Sequence, residues 1–152
     1  MCFSAAAAAD TNYATNGGFT QGTTGWTITK DYVTSISESG YSVVSTTQHT
    51  GTTGNALKIE LYPRPDSHGS VTMSQSVSAG GITSIKFWYK YQATSSQSGY
   101  DGNRPYFEVF WGGRKLGEIE CYYGSETEWQ QQTYQIPNGA SAAGGLTFQA
   151  TA

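Results

Sequence analysis

The sequence predicts an all-β fold, a sandwich of two antiparallel sheets, and three observations carry that prediction. No segment sustains apolar residues at the three- and four-residue spacing of a helix, and glycine, 19 of the 152 residues, interrupts every candidate stretch. Short runs alternating apolar and polar side chains follow one another instead, divided by glycine, proline and polar turns. Charged residues make up 12% of the chain and aromatics 14%, with 11 tyrosines, the composition of a secreted all-β protein rather than of a disordered one. A length of 152 residues supports one domain with a core of its own.

In chain order the predicted strands are Trp26–Thr29, Tyr32–Ser37, Tyr41–Thr46, Leu57–Tyr62, Ser70–Val77, Ile82–Tyr91, Tyr106–Trp111, Leu116–Tyr122, Trp129–Ile136 and Leu146–Ala150. The most informative is GITSIKFWYKYQ. Its period of two puts Ile85, Phe87, Tyr89 and Tyr91 on one face and Lys86, Trp88 and Lys90 on the other. In NALKIELYP, Leu57, Ile59 and Leu61 oppose Lys58, Glu60 and Tyr62, and Pro63 and Pro65 end the strand. In RPYFEVFWGGRKLGEIE, Phe107, Val109 and Trp111 alternate with Tyr106, Glu108 and Phe110, and Gly112-Gly113 supplies the positive φ of a tight hairpin. Leu116 and Ile119 have opposite parity, which places a bulge near Gly117. In EWQQQTYQIP, Tyr134 and Ile136 face inward, leaving Trp129, Gln131 and Thr133 outside.

Residues 1–13 read as a leader, with the domain over 14–152. The small residues of MCFSAAAAAD suit either the stump of an export signal or a flexible extension, for a basic start and a full apolar stretch are both lacking. Cys2 and Cys121 either pair or leave Cys121 as a small buried hydrophobe; two cysteines make neither a disulfide framework nor a zinc site. No apolar run is long enough for a spanning helix. Eight basic residues, scattered along a chain of net charge −3, disfavour nucleic acid and anionic membrane as partners.

Catalytic and metal motifs are sparse. There is no G-x-S-x-G, His49 and His68 stand apart in polar loops, and no glycine loop opens a helix that would hold phosphate. Asp101 in YDGNRP reads as a turn residue or a calcium ligand, and no cofactor is expected beyond such structural calcium. Glu108, Glu118 and Glu120 have parities that suit a pair of carboxylates for glycoside hydrolysis, or a solvated face paired with Arg114 or Lys115.

The outward aromatics are the strongest chemical signal. A rigid ring on the solvent side of a sheet stacks on the apolar face of a pyranose; alternatively, a loop covers it. Trp88, Tyr106 and Trp129, with Glu108, Gln131 and Arg64 as hydrogen-bonding partners, form the expected ligand-binding set.

The order NGGFTQGTTGWTI, GNALKIEL, SVTMSQSVSAGGITSIKFWYK, YFEVFWGGRKLGEI, EWQQQTYQIP and LTFQATA resembles the jelly-roll carbohydrate-binding modules of the family four, nine and twenty-two kind, closest to their fungal secreted relatives. The resemblance runs from Asn16 to the C-terminus, and Asn16 to Phe19 followed by Gly25-Trp26 matches a recurring opening of that group. It implies a secreted, extracellular jelly-roll β-sandwich that binds polysaccharide or oligosaccharide without transforming it. It also implies a last acidic and aliphatic strand, often part of a structural calcium site, which does not follow LTFQATA here. The resemblance then implies either a truncated chain or a place filled by residues 1–13 or by strand addition from a neighbour. The competing readings are a structural or adhesive subunit that self-associates through the unpaired edge, and a glycoside hydrolase or lyase.

Overall fold

A computed structural model describes residues 2–4, 13–32, 40–48, 50–61, 69–78, 81–93, 104–137 and 144–152. Twelve strands and no helix occur among these residues: β1 (Cys2–Ser4), β2 (Thr27–Tyr32), β3 (Gly40–Thr47), β4 (Thr53–Glu60), β5 (Gly69–Val77), β6 (Ser84–Lys90), β7 (Gln92–Ala93), β8 (Tyr106–Trp111), β9 (Arg114–Glu120), β10 (Ser125–Glu126), β11 (Gln130–Gln135) and β12 (Gly144–Thr151). They form two five-stranded sheets, one in the order β11-β6-β1-β4-β3 and one in the order β2-β5-β12-β8-β9, with a short β10-β7 ribbon. All pairings are antiparallel.

Alternation sets the inner rows. Ile85, Phe87 and Tyr89 on β6 and Leu57 and Ile59 on β4 are buried in the first sheet; Val71, Met73 and Val77 on β5, Phe107, Val109 and Trp111 on β8, and Leu146, Phe148 and Ala150 on β12 are buried in the second. The rows meet at Phe87, whose ring lies 5.2 Å from Phe148 and 5.9 Å from Phe107, both edge-on, while Phe107 and Phe148 stack at 5.6 Å. Burying each such ring contributes roughly 1.5–3 kcal/mol, and each aromatic pair about 0.5–1.5 kcal/mol more.

Both open sides of the two layers are closed by side chains. On one side Lys30 of β2 reaches over the Tyr41 ring of β3, 5.5 Å from its centre. On the other, Tyr134 of β11 lies against the backbone of β9 at Gly117 and donates its hydroxyl proton to the Glu118 carbonyl at 3.2 Å. The register between β8 and β9 shifts between Val109 and Phe110, the bulge expected near Gly117. Gly112 and Gly113 turn the hairpin with φ of 56° and 79°.

The NGGF segment folds as a corner tied to both sheets. The Asn16 side chain donates to the carbonyls of Gly22 at 2.9 Å and Thr24 at 3.0 Å and accepts from the Gln21 amide at 3.1 Å. Asn55 of β4 donates to the Phe19 carbonyl at 3.0 Å. Gln75, a buried amide of β5, accepts from Thr15 N at 2.7 Å and donates to the carbonyls of Thr15 and Gly25, each at 2.9 Å. Phe19 is buried beneath this corner and stacks on Trp26 at 6.0 Å.

Three strands were not expected from sequence: β1, β7 and β10. The separate strand over Tyr32–Ser37 lies outside the described residues apart from Tyr32, which ends β2. From the segment read as a leader, Cys2–Ser4 enters the first sheet between β4 and β6, and β12 takes the middle of the second sheet with neighbours on both edges.

Candidate functional site

The expected ligand-binding residues divide between the two outer faces. On the first sheet, Trp88 stands on the outer row of β6, half-buried, with Gln131 of β11 directly opposite in register and position 4 of β1 on the other side. The open part of this face lies over β6 and β11, where Lys86, Gln131, Thr133 and Gln135 are exposed; toward β4 it closes at Ala56, which is fully buried. Trp129, just before β11, comes over the same face: Lys90 sits 5.4 Å from its ring centre. Its indole N–H donates to the Thr47 carbonyl at 2.7 Å. Thr47 ends β3, the far edge strand, so the bond links the two edge strands of the sheet.

Tyr106 and Glu108 lie on the opposite side of the molecule, on the outer row of β8 with Phe110. Glu108 faces Glu118 across β8 and β9, and Lys115 bridges them, 2.7 Å from Glu108 and 2.5 Å from Glu118. The hydrogen bonds that Lys115 donates to Glu108 and then to Glu118 hold its proton more tightly than in a free lysine. The two carboxylates therefore stand side by side on adjacent strands around one ammonium, not across a cleft. Arg104 pairs with Glu120 at 3.2 Å and lies over the Tyr122 ring, 4.3 Å from its centre. The rest of this face is hydroxyl-rich: Thr27 and Thr29 of β2, Ser70, Thr72 and Ser74 of β5, and Thr147 and Thr151 of β12 share its rows with Gln149.

The structure thus brings together Trp88, Trp129 and Gln131 and separates them from Tyr106 and Glu108. The physical reason is that β6 and β8, whose outward aromatics look alike in sequence, belong to different sheets. Arg64, Asp101, His49 and His68 lie outside the described residues. Sequence reasoning placed Lys86 and Lys90 on the row of Trp88 but did not count them among the ligand-binding residues. Their signal was the Lys-x-Trp-x-Lys alternation, and Lys58 joins them only through sheet pairing: position 2 of β1 pairs with both Lys90 and Lys58. The basic residues are accordingly less scattered in space than along the chain.

Among the described residues no group of three His, Cys, Asp or Glu side chains is placed to hold a metal ion. Cys121 is a free, buried thiol, as one of its two readings had it, and burial pushes its pKa up to about 11. No helix among the described residues is long and apolar enough to cross a membrane. Comparison of the chain with protein-family models, curated proteins and solved structures finds no match.

Proposed function

We propose that this chain is a secreted, non-catalytic carbohydrate-binding module of the jelly-roll kind, which takes a polysaccharide or oligosaccharide on the outer face of the first sheet. The observation that carries the reading is Trp88. Every neighbour of opposite parity on its strand, Ile85, Phe87 and Tyr89, is core, while the Trp88 ring stands half-buried on the other face with Gln131 beside it. A pyranose stacks on that indole, the Gln131 amide takes its hydroxyls, and Trp129 bounds the site near Lys90. Few polar anchors and a wet platform give affinities of the order of micromolar or weaker. The Lys115 bridge between Glu108 and Glu118 supports a binding rather than a hydrolytic role, since hydrolysis asks for two carboxyl groups flanking the scissile bond, one of them a proton donor. The test is a glycan panel followed by titration of the best ligand: Trp88→Ala, still folded by circular dichroism, loses binding. Binding unchanged by that substitution removes Trp88 from the site and the reading with it.

A second reading, assembly by strand addition, is favoured by β1. Among the described residues its pairing covers only Leu57 and Lys58 of β4 and Trp88, Tyr89 and Lys90 of β6, a short hold that a strand from another copy would match. Light scattering after size-exclusion chromatography decides it: a stable monomer rejects the assembly, and a strand-exchanged dimer or polymer supports it.

A further inference from the structure

Resting on Trp88 as the stacking platform, we infer that the sugar chain taken by this face is acidic, a polysaccharide whose pyranose rings carry carboxylates. Lys86 and Lys90 stand two residues to either side of Trp88 on the same outer row, each about 6.6 Å along the strand at roughly 3.3 Å per residue. Lys58 is level with Lys90 two strands away, about 9.6 Å across the sheet at the usual strand spacing. A pyranose lying flat on the indole directs its ring substituents sideways, into the reach of these flexible stems. Carboxylates repeated along a chain would meet successive ammonium groups.

The charge on the remainder of the molecule points the same way. Among the described residues, Glu60 lies 2.6 Å from Lys58 on the outer face of the first sheet, and Glu126 faces Gln92, two residues beyond Lys90. The outer face of the second sheet carries four acids, Asp31, Glu108, Glu118 and Glu120, against Lys115, which lies between Glu108 and Glu118, and Arg104, which pairs with Glu120. Three of the chain's eight basic residues therefore gather on one side of a molecule of net charge −3. Such a separation steers a polyanion toward the lysine face and away from the acidic one. Specificity for an acidic sugar then comes from charge flanking the platform, whereas stacking itself accepts any pyranose.

The experiment is calorimetric titration of the whole chain with oligogalacturonate and oligomannuronate, and with neutral oligogalactoside and oligomannoside of the same lengths. At low salt at least one uronate chain binds about tenfold or more tighter than its neutral partner, and most of that gain disappears at about 0.5 M salt. Lys86→Gln and Lys90→Gln each weaken uronate binding about three- to tenfold with little effect on the neutral chain. Arg114→Gln, the same change of charge at the β8–β9 hairpin of the other sheet, leaves it unchanged. Neutral binding that depends on Trp88 without any preference for uronate overturns this inference alone. Uronate binding that survives both lysine substitutions also overturns it, and binding of neither class overturns the stacking reading as well.

Discussion

The indole N–H of Trp129 donates to the main-chain carbonyl of Thr47 at 2.7 Å, joining the approach to β11 with the end of β3 at opposite edges of one sheet. Trp129→Phe keeps a ring for Lys90 and removes only the donor. The expected cost is about 0.5–1.5 kcal/mol in urea unfolding, the net worth of one hydrogen bond. Sugar affinity falls further in Trp129→Ala than in Trp129→Phe, because the ring that bounds the site beside Lys90 is then lost. Equal affinities for the two variants would remove Trp129 from the binding face.

Gly117 has no room for a side chain: a Cβ there would collide with the Tyr134 ring. Gly117→Ala forces that ring out of the space between β9 and β11, and overpacking of this kind costs about 1–3 kcal/mol. Tyr134→Ala relieves the collision, so the double variant is less destabilised than the sum of the single ones. Additive losses would show that the contact is not what restricts the site.

Gln75→Leu keeps the approximate volume of a buried side chain but strands the Thr15 amide and the carbonyls of Thr15 and Gly25. An unmet buried polar group costs about 1–3 kcal/mol. Fraying of the NGGF corner should accompany this loss, visible as faster amide exchange over residues 15–25. A variant with the parent's unfolding midpoint would mean that water replaces the amide without penalty.

What the sequence carried was local. The two-residue period of SIKFWYK put Trp88 on the correct face, Gly112-Gly113 announced the hairpin, and the parity clash between Leu116 and Ile119 located the bulge. Each of these depends on neighbours within one strand or one turn. Which strands share a sheet depends on partners far apart in the chain, and there the reading failed: Tyr106 and Glu108 were grouped with Trp88 because all three point outward, yet outward has two opposite directions in a two-layered fold. The same limit hid Lys58, which reaches the neighbourhood of Lys90 only through β1. The corner built on Asn16 was legible as a motif, but its anchoring by Gln75, an amide in an otherwise apolar inner row, was not.

Alkaline pH tests the burial of Cys121. Its thiol is shifted by burial from an ordinary 9.0 to about 11 in the folded chain, and the unfolded chain therefore releases this proton first. Between about pH 9 and 11 the unfolded state binds fewer protons than the folded one, so stability falls as pH rises through that window. The loss from this group is on the order of 1–3 kcal/mol. Burial also raises Tyr89 and Tyr134 above their ordinary 10.0, and their contributions have the same sign but begin about one unit later. Cys121→Ala thus lowers stability at neutral pH through lost packing, and its decline sets in nearer pH 10 than that of the parent. Urea unfolding at half-unit steps from pH 8 to 11 separates the curves; identical onsets near pH 10 would mean that the thiol is not shielded from solvent.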